Sequence, residues 1–256
     1  MDITSLIGSA LGLMAVFGGA LIEGLHLSDI LQPTAAIIVF GGTIGAMLVS
    51  FPPQDIRKAL SLIPLIYQKV DLDVRPVIEE IVRIATVARK EGVLAIEGQR
   101  EAIQNPLFRK TIKYVIDGFE PNTVREIIDT EISLSLEEEE TAGKVFEGAG
   151  GYSPTIGIIG AVLGLIHVMK SLDDPSKIGG GIAVAFVATV YGVGAANLIL
   201  IPWGTKLKRK AAQRAIQKEV VKIGVIGIQE GLNPHFLQEK LEVFVEEHLR
   251  TDAEAH

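Results

Sequence analysis

The polar side chains that interrupt the apolar stretches of this chain are its first candidates for chemistry. Thr189, Tyr191 and Asn197 lie among small residues in one apolar block, and His167 lies near the end of another. In a low-dielectric surround such groups can help hold a cation or relay a proton when a charged group stands beside them. No Asp, Glu, Lys or Arg occupies the middle of any apolar block. Glu23, Lys170, Asp173 and Asp174 all fall at block ends, where snorkelling or water solvates them. A transporter that works through an intramembrane carboxylate would have to borrow it from another chain. Without that partner, a lone Thr189 simply donates to a carbonyl one turn earlier, and His167 reads as an interfacial histidine. Other chemistry has little to build on. There is no cysteine, so thiolate nucleophiles, disulfides and thiolate metal sites are excluded, and none of the 5 histidines has a metal-binding spacing with another. No enzyme and no cofactor are expected. A formal charge of −7 without a dominant basic patch gives no footprint for nucleic acid.

The elements that must position these residues are helices for a bilayer. The chain is 48% hydrophobic with a mean hydropathy of +0.37, and the apolar residues are pooled in long blocks. Four blocks reach the length of about 20 residues that crosses a bilayer. They run from Ile3 to Ile22, from Thr34 to Phe51, from Pro154 to Leu172 and from Ile182 to Trp203. Met1-Asp2 lacks the basic start of a cleaved signal, so the first block is read as a retained helix. The second is the shortest and carries Gly41, Gly42 and Gly45, but it is apolar on every face.

Loop charge orients the spans. Residues 23–33 carry no Lys or Arg, and the turn after the third block has only Lys170 and Lys177 at its edges. Residues 52–153 carry 13 basic residues, and the run Lys206, Lys208, Arg209, Lys210 follows the fourth block. Both termini and the long middle segment are therefore expected in the cytoplasm, and the external loops are too short to fold. The predicted protein is all-α and polytopic: a first transmembrane hairpin (1–51), a cytoplasmic helical domain (52–153), a second hairpin (154–203) and a cytoplasmic helical tail (204–256). Val77, Ile78, Ile81, Ile84, Ala85 and Ala88 recur at helical spacing, with Glu79 and Arg83 at i, i+4 on another face. Gly118, Asn122 and Pro106 punctuate later helices, and Glu137 to Glu140 reads as a solvated face. A tail helix from Lys206 to about Ile228 extends directly from the fourth span.

The second hairpin is rich in small residues one turn apart. Gly157 pairs with Ala161, Gly160 with Gly164, and Ala188, Gly192 and Ala196 follow in the fourth span. Such spacing lets backbones approach closely in lipid. The pattern alone favours internal packing of one hairpin over a seam against neighbouring copies or a second protein. Read alone, Pro154 and Pro202 mark helix boundaries, and Arg89, Lys90 and Glu97 are solvated surface charges.

The stretches ARKEGVLAIE, SPTIGIIGAVLGLIHVM, AVAFVATVYG and IPWG occur in that order between the opening MDITSLIG and the tail motif IQEGLNP. Together they resemble the flagellar stator subunits of the MotA and PomA family over essentially the whole chain. That resemblance implies a ring of five copies around two helices of a MotB- or PomB-like partner, which brings an essential Asp and grips peptidoglycan. It further implies residence in the bacterial inner membrane among lipid, and rotation of the ring by ion flow to drive the rotor protein FliG. Carried over by position, Arg89 and Glu97, with Lys90 beside them, match rotor-engaging charges. Pro154 and Pro202 match the prolines that couple ion binding to movement, and Thr189 matches the hydroxyl facing the partner's Asp. Sodium-driven members carry a second Thr where this chain has Ala161. Sodium needs several oxygen ligands and a proton only one base, so Ala161 implies a proton. An ExbB/TolQ-like energiser is the nearest rival, but three spans are typical there. A non-transporting membrane scaffold explains the small-residue stripes but not the joint occurrence of the other motifs.

Overall fold

The computed structural model describes residues 1–70, 73–170, 172–173 and 175–254, and every regular element among them is helical. The main helices are α1 (Ile3–Ile22), α2 (Pro33–Ser50), α3 (Arg75–Glu91), α4 (Pro106–Ile116), α5 (Pro121–Lys170), α6 (Pro175–Ala195), α7 (Ile201–Gln229) and α8 (Pro234–Glu254). Shorter helical pieces connect them. Two compact units result: Met1–Val70 with Glu138–Arg209, and Asp71–Glu137 with Lys210–His256. Helices α5 and α7 each contribute to both.

The first unit holds the four apolar helices expected from hydropathy. No residue of α1 is buried within the chain, so its 20 apolar-rich residues must face lipid or other molecules. The helix is tied down at its foot instead. Asp2 caps it by accepting from the Ser5 amide at 3.1 Å, and Lys206 pairs with the same carboxylate at 2.8 Å. The Asp2 amide donates to the Tyr67 carbonyl at 2.8 Å, and Trp203 Nε1 donates to the Tyr67 hydroxyl at 3.0 Å. Around this foot Met47, Leu65, Ile66, Phe146 and Leu207 form a buried cluster, with Trp203 edge-on to Phe146 and Tyr67.

The third span is part of a longer helix than the sequence suggests, and the fourth runs on into the tail helix as expected. Residues 154–170 are the last stretch of α5, which is 50 residues long and continues without a break past Pro154. The fourth span passes from α6 through a π-helical turn, Ala196–Leu200, directly into α7. Pro154 removes one backbone bond and Gly148, Gly150 and Gly151 before it are poor helix formers, but close packing of Gly148 on Phe51 and Gly150 on Ile201 holds the helix there. A second π-turn, Ile37–Gly41, lies inside α2. Both pack against other spans: the α2 turn on α6, and the turn after α6 on α1. The loop after α1 holds one helical turn, Leu27–Ile30, more order than its length suggests.

The second unit is a water-soluble type of helical core. Ile78, Ile81, Ile84 and Ala85 are buried along one face of α3, as their spacing predicts. They meet Phe108 and Ile112 of α4, Val124 and Ile128 of α5, Val220 and Val225 of α7, and Leu237 and Leu241 of α8. The expected Glu79–Arg83 pair gives way to a bond from Arg83 to Gln99 at 2.7 Å. Lys222 sits between Asp129 at 2.8 Å and Glu219 at 2.5 Å. Burial lowers the Lys222 pKa most among single causes, yet bonds to both carboxylates together raise it above the usual lysine value.

Candidate functional site

The second hairpin closes on itself through its small residues. A Cβ on Gly157 would lie 2.8 Å from the Ala188 carbonyl, and one on Gly164 would lie 2.8 Å from the Ala185 amide nitrogen. A Cβ on Gly192 would meet the Ser153 carbonyl at 2.6 Å and the Gly157 Cα at 3.1 Å. These are backbone-to-backbone contacts between α5 and α6 of one chain. The seam thus serves the internal packing of the hairpin.

Within that packing the Thr189 hydroxyl is loosely held. Thr43, Thr86, Thr111 and Thr130 each donate to the carbonyl four residues earlier at 2.6 to 2.8 Å. Thr189 makes the same bond to Ala185 at 3.3 Å, well beyond the usual O–H···O distance. Its neighbours are committed: Tyr191 donates to the Ile30 carbonyl at 2.6 Å and Asn197 to the Val193 carbonyl at 2.9 Å. Thr189 is half-buried, so its hydroxyl can turn toward a stronger acceptor without breaking a good bond. Ala161, also half-buried, adds no oxygen. His167 is exposed at the rim of a cavity of about 370 Å³ that Thr34, Ile38, Gly164, Gly181 and Val184 help to line.

One candidate proline sits within a continuous α-helix and the other at a departure from it. Pro154 lies inside α5, and Pro202 is the second residue of α7, immediately after the π-turn. Without an N–H, Pro202 cannot serve the Leu198 carbonyl, and the wider π-turn spaces the backbone there. A cavity of about 270 Å³ opens beside it, lined by Ser5, Ser9, Asn197, Leu198, Pro202 and Lys206 among others.

In the second unit, α3 ends with Arg89 and Lys90 in its last turn, where positive charge complements the helix dipole. Gly92 follows at φ 88°, a left-handed conformation that favours glycine, and turns the chain into a 3₁₀ segment, Val93–Ala102. This turn brings Arg89, Lys90 and Glu97 onto exposed positions around Leu94, which is 75% exposed. Arg89 Nη1 donates to the Gly231 carbonyl at 3.2 Å. Nearby, Arg100 and Glu101 bond at 2.8 Å, which raises the guanidinium pKa and lowers that of the carboxyl.

Comparison with known proteins places this geometry. Residues 6–92 match the family described as motility protein A N-terminal, and residues 99–220 match the MotA/TolQ/ExbB proton channel family. Motility protein A of Bacillus subtilis (strain 168) is 32% identical over 246 residues, covering 96% of this chain and 91% of that protein. The structure of the flagellar MotAB stator complex from Bacillus subtilis contains a chain with TM-score 0.87 and 31% identity, covering 98% of this chain and 99% of that one. The structure of C. jejuni MotAB gives 0.88 and 27% identity, with 95% and 96% covered. The chain belongs to the MotA/PomA family of flagellar stator subunits.

It is thus a multi-pass membrane protein of a stator-type ion-channel family, and not an enzyme. The match over residues 6–92 separates it from a TolQ- or ExbB-like subunit, with which it shares the later channel region. The structure also exposes stator-family residues that sequence reasoning passed over. Ser153 is fully buried beside Pro154, and its hydroxyl has no hydrogen-bond partner. Its position immediately before a mid-helix proline was the available signal. The Asp2–Lys206 tie joins residues about 200 positions apart, and no local pattern reveals it.

Proposed function

We propose that this chain is the ring-forming subunit of a proton-driven flagellar stator. In this reading several copies, five by family resemblance, surround a MotB- or PomB-like partner whose Asp stands beside Thr189. The carrying observation is the weakly held Thr189 hydroxyl, 3.3 Å from its own-chain acceptor, in a hairpin without a mid-span carboxylate. The partner's carboxylate supplies the missing charge, and Thr189 positions it or a bound water. Each unit charge crossing about 100 mV releases about 2.3 kcal/mol, so rotation proceeds in many small steps. Pro154 and Pro202 are the places where those steps become helix movement. The segments 1–51 and 154–203 span the bacterial inner membrane, while 52–153 and 204–256, with both termini, lie in the cytoplasm. There Arg89, Lys90 and Glu97 engage FliG. Similarity along 98% of the chain to a subunit of a solved MotAB stator complex supports the assembly.

The test is complementation. The chain and a MotB- or PomB-like partner are expressed in a motile host stripped of its own stators. Restored rotation is expected. A chain that reaches the membrane at normal abundance with its partner and leaves every motor still would overturn the stator assignment.

A further inference from the structure

Ser153 combines full burial with an unpaired hydroxyl, a combination that costs stability and that helical serines ordinarily avoid. Its place in the chain suggests the missing acceptor. Pro154 follows it within α5, and having no N–H it cannot serve the Gly150 carbonyl. A serine in a helix reaches carbonyls three or four residues earlier. Thr155 does so here, donating to the Tyr152 carbonyl at 2.8 Å. Ser153 and Gly150 have the same spacing: a donor without an acceptor stands one turn from an acceptor whose usual donor is absent.

The same residue touches the neighbouring span through its backbone. A Cβ on Gly192 would lie 2.6 Å from the Ser153 carbonyl and 3.2 Å from the Pro154 Cα. No side chain cushions that contact, so a change of bend at 153–154 moves α6 directly. Gly192 is three residues, about one turn, from Thr189.

We propose that Ser153 is a positioning residue of the proline bend. Its hydroxyl pairs with the Gly150 carbonyl in one state of the stator cycle and is released in the other, the state seen in this structure. The bond tilts the balance between two bends, and the contact with Gly192 links that balance to the charge beside Thr189. The proposal rests on the stator reading of this chain and deepens it.

The experiment uses the chain with its single-span partner in lipid nanodiscs. Backbone hydrogen exchange over residues 150–157 is followed at pH values on either side of the titration of the partner's carboxyl. Wild type is expected to show protection that changes with pH by up to about ten-fold, the range one hydrogen bond can shift. Ser153→Ala should lose that pH dependence while melting no lower than wild type, since it discards an unpaired buried hydroxyl. Ser153→Thr should restore it, and Ser153→Cys, closer in volume, gives a partial response if the added methyl hinders folding. In motile cells Ser153→Ala should lower torque at normal membrane abundance. Wild-type exchange that ignores pH, or an alanine variant with unchanged exchange and full torque, would overturn the proposal. A wild-type chain that rotates no motor sinks the stator reading instead, and the exchange comparison still decides the role of Ser153.

Discussion

At the scale of single residues, the site depends on how firmly each polar group is already bound. Thr189 has a poor internal bond, while Tyr191 and Asn197 make good ones. Thr189→Ala should therefore cut torque by roughly ten- to hundred-fold, the value of a hydrogen bond to a charged group. Thr189→Ser, which keeps the hydroxyl, should retain part of it. Bead-assay torque at matched membrane abundance checks both, and full torque from the alanine variant would remove Thr189 from the pathway. Arg89 and Glu97 call for a different expectation, because exposed ion pairs contribute only about 0–1 kcal/mol each. Single changes there should be mild. The double reversal Arg89→Glu with Glu97→Arg should reduce stator recruitment, counted as fluorescent units per motor, without reducing membrane abundance. Normal recruitment would detach these residues from the rotor. Composition and spacing made Thr189 visible as a lone hydroxyl, but they gave no bond length. The role proposed for it, like those proposed for Arg89 and the prolines, comes only through resemblance.

At the scale of elements, hydropathy located all four spans, because a long apolar block needs no knowledge of its neighbours to be recognised. The helix ends were less legible. Pro154, which alone reads as a helix boundary, sits inside α5, whereas the fourth span runs on into α7 as its pattern predicts. The π-turns at Ile37–Gly41 and Ala196–Leu200 left no trace in the pattern: a span apolar on every face has no periodicity for one extra residue to disturb. Small-residue spacing was plain, but which helix it met was not. The contacts answer that with a sharp contrast between two glycines of α6. Gly192→Ala would press a methyl into the Ser153 backbone at 2.6 Å, whereas nothing in the chain lies within 4 Å of a Cβ on Gly194. Overpacking of this kind costs about 1–3 kcal/mol. Gly192→Ala should lower the melting temperature of the detergent-solubilised chain, and Gly194→Ala should leave it unchanged. Equal melting temperatures would mean that the seam is looser than its geometry implies.

At the scale of the whole molecule, the chain is a channel subunit that brings no intramembrane charge of its own. On the proposed reading, ion choice is then a property of the oxygen atoms it can offer around a partner's carboxylate. Thr189 offers one hydroxyl. Ala161 offers none, and Tyr191 and Asn197 are held by carbonyls of the same chain. A sodium ion that sheds its hydration shell needs several such ligands, while a proton needs a single base with one donor to orient it. The arrangement therefore favours proton coupling. Motors driven by this stator alone should stop when a protonophore is added at clamped external sodium. Their speed should not change when sodium is replaced by potassium at constant pH and membrane voltage. Ala161→Thr adds the oxygen that the proton reading lacks, and by itself it should not create sodium dependence if the remaining ligands are absent. Speed that rises and saturates with external sodium in the unaltered chain would overturn the proton assignment and leave the stator assignment standing, because membership of the family rests on the matched chain and not on the ion.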